Sequence, residues 1–181
     1  MTKQYHDINQ QNQDYGESHY IGPFSSGHKD DGSSEWASGF PHDAWRDIYK
    51  PYIQAYKSSA TTPTVDTEEI VYWYRPTPKG ITCTNDTLPA PNGINLLSDS
   101  IFVATMLKEA ATLTVTSGGN AAISVDVPAG IVTSNVTMGV GQQSFVVSRN
   151  GETILNGTGG LNIVDTCETY NYNVYVGSVT A

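Results

Sequence analysis

Basic side chains are scarce in this sequence: it has nine Lys and Arg against 18 Asp and Glu, and its formal net charge is −9. They form no basic patch, so nucleic acid and anionic membranes are poor candidates for the main partner. No apolar run is long enough to span a membrane. A neutral ligand such as a polysaccharide suits this acidic surface better.

Cysteine is nearly absent, and the two that occur are Cys83 and Cys167. They lack C-x-x-C spacing, which argues against a thiolate metal site. A disulfide is expected in a secreted chain, where it would contribute about 4 kcal/mol, and two separate buried thiols in a cytosolic one. Secretion is favoured by three sequons, whose candidate glycosylation sites are Asn85, Asn135 and Asn156.

The first residues lack the apolar core of a signal peptide. Residues 1–13 are polar and rich in Gln and Asn, which predicts an irregular leader. Because the sequons nevertheless favour secretion, we expect the chain to be a piece of a longer secreted protein.

The densest group of reactive side chains lies between residues 14 and 20. Cleavage of a bond between sugars needs a proton donor and a proton acceptor, and Asp14 and Glu17 can divide those roles. Tyr15 and Tyr20 can stack on a sugar or bond it, and His19 can bond a hydroxyl. The same run is also typical of a turn with solvated acids, and the pattern alone does not decide between the two.

Other site chemistries have weaker patterns. The histidines, His6, His19, His28 and His42, lack the spacing that places two metal ligands on one face. The acids at residues 30–35 lack the alternating register of a calcium loop, and no G-x-S-x-G elbow surrounds Ser18. The sequence therefore predicts neither a metal nor a cofactor.

The periodicity changes twice along the chain. In residues 41–57, apolar side chains recur every three or four residues and predict an amphipathic helix, with Pro41 in its first turn and Pro51 kinking or splitting it. Residues 58–67 predict a linker. Beyond them, short runs separated by Gly and Asn turns predict an antiparallel β-sandwich. The predicted strands are 69–74, 101–107, 112–116, 121–127, 144–149, 152–155 and 173–177.

Ordered motifs from residue 14 to the end resemble the C-terminal part of glycoside hydrolase family 71, the fungal endo-α-1,3-glucanases or mutanases. The motifs are DYGESHYIGP at 14–23, WA at 36–37, PHDAW at 41–45, KPYI at 50–53, WYRP at 73–76, DSIFV at 99–103, PAG at 128–130 and SRNG at 148–151.

The resemblance implies a (β/α)8 barrel followed by a β-sandwich, and inverting hydrolysis of α-1,3-glucan outside the cell or in its wall. Residues 14–60 would be the last part of the barrel, with the site loop and final helix, and residues 61–181 the sandwich. By position, Asp14 and Glu17 are the catalytic pair, with Glu17 as acid and Asp14 as base. The substrate contacts are Tyr15, His19 and Tyr20.

One departure from the family is the polar stretch before Asp14, where an apolar barrel strand is expected. The chain is therefore expected to be a fragment that lacks most of its barrel and has little or no activity alone. A second hypothesis is a non-catalytic β-sandwich module that binds cell-wall glucan or packs against a catalytic domain. Trp73 and Tyr74 are its candidate contacts, although such strand residues are more often core. A purely structural surface protein is the third hypothesis.

Overall fold

The computed structural model describes residues 37–87 and 89–181. Within these ranges, one α-helix precedes eight β-strands, and a 3-10 helix (Ile94–Leu96) lies between the first two strands. No helix in the described ranges is long and apolar enough to cross a membrane. The elements are α1 (Trp45–Lys57), β1 (Glu69–Tyr74), β2 (Ser100–Leu107), β3 (Ala111–Ser117), β4 (Ile123–Val127), β5 (Gly130–Thr137), β6 (Gln143–Arg149), β7 (Glu152–Thr158) and β8 (Tyr175–Thr180).

The strands form two four-stranded antiparallel sheets. Sheet A has the strand order β5-β2-β1-β8, and sheet B has the order β4-β3-β6-β7. The chain crosses between the sheets after β2, β4, β5 and β7, so each sheet combines segments that are distant in sequence. The predicted antiparallel β-sandwich is confirmed.

The main core lies between the two sheets and contains side chains from both. Its largest fully buried members include Tyr74, Phe145, Ile101 and Leu113. In sheet B the buried side chains alternate with solvent-facing ones, because only one face of that sheet is covered.

Strand β1 is buried on both faces. Ile70, Tyr72 and Tyr74 belong to the core between the sheets, whereas Val71 and Trp73 belong to a second cluster beneath α1. A strand covered on both sides favours apolar residues on both faces, and this explains the apolar run from Ile70 to Tyr74.

Helix α1 begins later than predicted. Pro41 precedes it, and the Pro41 carbonyl accepts a hydrogen bond from the Val176 N–H at 3.3 Å. Turn-type bonds follow, from the Trp45 N–H to the His42 carbonyl and from the Arg46 N–H to the Asp43 carbonyl. The first turn of the helix therefore starts at Trp45, and its acidic residue is Asp47.

Two further predictions for α1 hold only in part. Pro51 lies inside one continuous helix instead of splitting it, and its buried ring packs at the junction with sheet A. The apolar side chains that recur every three or four residues form only part of the packing face, because the buried residues of the helix are Pro51 and Ala55, whereas Tyr56 is 63% exposed. Trp45 and Ile48, which belong to the same periodic set, do pack against the side chains of sheet A.

Strand β5 was not predicted. Its residues are mostly exposed or half-buried and rich in Thr, Ser and Asn, so it shows little apolar alternation. It pairs with β2 along its whole length, from Leu107 opposite Gly130 to Ser100 opposite Thr137. This polar segment is a strand because it pairs with β2, a buried neighbour that is distant in sequence.

The two predicted hairpins are confirmed. β3 pairs with β4, and β6 pairs with β7. The second turn contains Asn150 and Gly151 with φ of 52° and 83°, the two left-handed residues of a type I′ turn. The last strand runs to Thr180, beyond its predicted end, because all six residues of β1 pair with it.

Candidate functional site

The predicted catalytic stretch lies outside the described residues. This applies to Asp14, Tyr15, Glu17, His19 and Tyr20, and also to the leader at 1–13 and to His6, Ser18, His28 and residues 30–35. Their roles stay predictions. The first described element after this stretch is α1. Its junction with sheet A is where the chain enters the sandwich.

Helix α1 packs on the outer face of sheet A. Ala44, Trp45 and Ile48 contribute to one cluster with side chains of β1, β2 and β8. The sheet residues in that cluster include Val71, Trp73, Ala104, Met106 and Val176. The helix and the sandwich thus share a hydrophobic core, which ties the segment before the helix to the sheet.

His42 fixes the start of the helix. It is fully buried, and its Nε2 donates a hydrogen bond to the Val174 carbonyl at 2.9 Å. Its ring centroid lies 4.6 Å from that of Trp45. The bond and the ring contact join the residues before α1 to the segment before β8. In the part of the chain that the structure describes, no three His, Cys, Asp or Glu side chains are grouped to hold a metal ion.

The carboxyl groups of Asp47 and Glu69 lie at the junction of α1 and sheet A. Glu69 is 9% exposed and lies on one cleft with Asp47 of α1 and Ser178 of β8. The cleft has a volume of about 400 Å³, with Lys50 and Asp66 also on its lining. Burial first, and then the Asp47 charge, raise the pKa of Glu69 above its ordinary 4.5, although Ser178 and Lys50 act in the opposite direction.

Glu68 and Glu69 are adjacent in sequence, but they are expected to give opposite pH dependence. The Glu69 pKa is raised, so its contribution to stability is full below pH 4.5 and is lost as the pH rises through the folded-state pKa. Glu68 hydrogen-bonds Arg149 at 2.6 Å, which lowers its pKa. Its contribution is therefore present above pH 4.5 and is lost on acidification.

Thermal unfolding of Glu68→Gln and Glu69→Gln between pH 3 and pH 7 measures this difference. Relative to wild type, we expect Glu69→Gln to gain Tm as the pH rises and Glu68→Gln to lose it. Parallel curves of Tm against pH for the two variants would contradict the raised pKa of Glu69 and the lowered pKa of Glu68.

Trp73 and Tyr74 point to opposite faces of sheet A. Tyr74 is 1% exposed, its hydroxyl donates to the Leu161 carbonyl at 2.5 Å, and burial raises its pKa well above 10. Tyr74 is therefore core and is excluded as a surface contact. Trp73 is half-buried and stacks on Phe102, with ring centroids 5.6 Å apart.

The two cysteines are joined. Cys83 and Cys167 form a disulfide between the loop after β1 and the loop before β8, so that prediction is confirmed. Backbone bonds from the Thr84 N–H to the Cys167 carbonyl and from the Asn85 N–H to the Glu168 carbonyl reinforce the link.

The sequon asparagines are all exposed. Asn85 lies in a loop, Asn135 on β5 and Asn156 on β7. Each can therefore carry a glycan without disturbing the core, and their modification stays a prediction.

A family model described as glycosyl hydrolase family 71 matches residues 10–181. The chain belongs to glycosyl hydrolase family 71. The match includes the 14–20 stretch as well as the whole sandwich, and it confirms the resemblance drawn from the motifs. No solved structure matches this family 71 chain.

Three relatives show how the family 71 chain compares with known proteins. A mutanase of Penicillium rubens is 68% identical over 165 residues, or 91% of this chain and 37% of the relative. The glucan endo-1,3-alpha-glucosidase agn1 of Schizosaccharomyces pombe is 43% identical, covering 91% of this chain and 38% of its own length. An ascus wall endo-1,3-alpha-glucanase of the same yeast is 30% identical over 88% of this chain and 40% of its own. The family 71 chain thus spans a little over a third of these relatives.

Several side chains important in this family 71 structure were missed from sequence. Asp47, Glu69 and Ser178 come together only through the docking of α1 and the pairing of β1 with β8. The available signal was the period of β1, which places Glu69 on the same face as Val71 and Trp73. Phe102 was likewise assigned only to a buried strand, although its side chain is half-buried.

Proposed function

We propose that this chain is part of a secreted fungal enzyme that hydrolyses internal bonds of α-1,3-glucan with inversion. The observation that carries the proposal is the family 71 match over residues 10–181, together with 68% identity to a Penicillium mutanase. Because the chain spans a little over a third of its relatives, the activity is assigned to a longer enzyme.

The proposed catalytic pair is Glu17 as general acid and Asp14 as general base. An inverting enzyme places its two carboxyl groups roughly 6.5–9.5 Å apart, so that a water molecule fits between base and sugar. Side chains three residues apart on a turn can splay toward that separation. Tyr15, His19 and Tyr20 then bind the substrate around the scissile bond.

The proposed architecture places residues 14–60 at the end of a (β/α)8 barrel, with α1 as its last helix, and residues 61–181 in the sandwich after the leader at 1–13. The shared cluster beneath α1 and the His42 bond to Val174 support a firm connection between these parts. The sandwich would thereby hold the last barrel helix in place, and the remaining barrel is the partner required for a preorganised site.

An extracellular or cell-wall location fits three features of the chain. The disulfide is typical of oxidising compartments, the sequon asparagines are exposed, and the acidic surface suits a neutral polysaccharide. The reaction requires two carboxyl groups and water, and we propose no cofactor.

Incubation with insoluble α-1,3-glucan, followed by measurement of reducing sugar, tests the proposal. The chain alone is expected to release little, and fusion to the remainder of the Penicillium relative is expected to restore turnover. In that fusion, Glu17→Gln or Asp14→Asn should lower turnover roughly 100- to 10,000-fold, the usual contribution of a general acid or base.

The matched control is Glu152→Gln, which removes an exposed acid on β7 and should leave turnover unchanged. Turnover that survives Glu17→Gln would refute the catalytic pair. Strong turnover by the chain alone would refute the need for the rest of the barrel.

The second candidate function is a non-catalytic module that binds cell-wall glucan or packs on a catalytic domain. The half-buried stack of Trp73 and Phe102 is the observation in its favour, since Tyr74 is now excluded. The same incubation separates the candidates. Retention of the chain in the glucan pellet without hydrolysis by the fusion would favour the module, and absence of both would leave a structural role.

A further inference from the structure

A row of three side chains crosses the outer face of sheet A. Asn135 of β5 is directly opposite Phe102 of β2, and Phe102 is directly opposite Trp73 of β1. Residues directly opposite in antiparallel strands project from the same face with Cβ atoms roughly 4.5–5.5 Å apart. A sequon asparagine therefore lies beside an aromatic ring.

The two aromatic rings form a platform that ends at Asn135. Trp73 and Phe102 are nearly parallel, with an interplanar angle of 7° and centroids 5.6 Å apart. Trp45 of α1 contacts Trp73 edge to face, with ring centroids 6.3 Å apart. Trp73 packs against the cluster beneath the helix, whereas Phe102 is half-buried beside the exposed Asn135.

We propose that the first sugar of a glycan on Asn135 packs on the Phe102 ring, the member of the aromatic platform that lies next to Asn135. The inference rests on the secretion proposed above. A pyranose ring has one face of polarised C–H bonds, and an aromatic ring carries partial negative charge on its face, so the two surfaces attract each other. The contact also removes apolar ring surface from water.

The chain contains a matched sequon without such a platform. Asn156 lies on an exposed strand position like Asn135, but the residue directly opposite it is Val146. Asn85 lies in a loop. Of the two sequons on strands, we therefore expect only the glycan on Asn135 to be coupled to an aromatic side chain directly opposite.

A double-mutant cycle on the complete chain, secreted from a eukaryotic host, tests this coupling. Mass spectrometry establishes occupancy, and Tm is measured for wild type, Asn135→Gln, Phe102→Leu and the double variant. Phe102→Leu keeps apolar volume but removes the ring. Loss of the glycan should lower Tm by roughly 2–4 °C when Phe102 is present and by much less when leucine replaces it. The control cycle with Asn156→Gln and Val146→Ala should show no coupling.

Enzymatic trimming gives a second measurement that needs no substitution. An endoglycosidase that leaves one N-acetylglucosamine on each asparagine should preserve the Tm, because the first sugar makes the contact. Complete removal of the glycans should lower it.

Equal effects of Asn135→Gln with and without the Phe102 ring would overturn the inference. An unmodified Asn135 in a protein whose Asn85 and Asn156 carry glycans would also overturn the inference. That outcome would not count against the proposed secretion. Failure of the hydrolysis assay would count against the enzymatic proposal and would leave the coupling result unaffected.

Discussion

Replacement of both Cys83 and Cys167 by alanine is expected to lower the free energy of unfolding by about 4 kcal/mol. The bridge joins residues 84 apart and encloses most of both sheets, so its loss frees a long stretch of the unfolded chain. Alanine suits Cys83, which is 4% exposed, because it introduces no buried hydroxyl. For a chain of this length, the loss corresponds to a Tm lower by roughly 8–16 °C.

Urea unfolding of the oxidised wild type, the reduced wild type and the double-alanine variant measures this effect. The folded structure should persist in all three, because backbone hydrogen bonds still join the loops at Thr84 and Asn85. The reduced wild type and the variant should unfold together and with a larger m value, since the unfolded chain without the bridge exposes more surface. A midpoint unchanged by reduction would show that the bridge contributes little stability.

The strands found from sequence are those whose own residues carry the signal. β1 is apolar from Ile70 to Tyr74 because it is covered on both faces, and β3 and β6 alternate because sheet B is covered on one. β5 carries no such signal, since its polar residues become a strand by pairing with β2. Local periodicity therefore predicted the fold class but missed β5, which forms one edge of sheet A.

The arrangement of side chains at the junction was beyond sequence reasoning for a related reason. Asp47 and Glu69 meet only when α1 docks on sheet A, and Asn135 meets Phe102 only in one register of β5 against β2. A shift of β5 by one residue would turn Asn135 to the opposite face. Such contacts depend on tertiary packing, whereas the 14–20 stretch could be recognised because its residues are contiguous.

Family motifs in the described part of the chain mark structural positions as well. The motif at 41–45 contains His42 and Trp45, which anchor the start of α1 on the sandwich. The motif at 73–76 contains Trp73 beneath the helix and Arg75, which is 5% exposed. These motifs locate the junction that joins the predicted catalytic segment to the sheet.

Arg75 connects three loops at the end of sheet A. Its guanidinium donates to the Tyr170 hydroxyl at 3.0 Å, to the Ser98 carbonyl at 2.9 Å and to Asp99 at 2.5 Å. Asp99 also accepts the Lys79 N–H at 2.9 Å, and the Tyr170 hydroxyl donates to the Thr77 carbonyl at 2.7 Å. The charge is thus buried among fixed acceptors, and each partner depends on the others.

Arg75→Met is expected to lower the free energy of unfolding by about 3 kcal/mol. This is the lower end of the range for breaking a buried ion pair, because the Asp99 side chain is 32% exposed and water can solvate it in part. The double variant Arg75→Met with Asp99→Asn should regain part of the loss, since neutral asparagine is less costly to leave without its cation.

The exposed pair of Arg46 and Asp43 supplies the control for Arg75. Their charged atoms lie 3.7 Å apart with side chains 58% and 43% exposed, so Arg46→Met should change stability too little to resolve. Equal losses for Arg75→Met and Arg46→Met in urea titrations would show that burial of the guanidinium contributes nothing. A double variant less stable than Arg75→Met alone would contradict the expected recovery, because it would show that the Asp99 charge stabilises the fold even without the arginine.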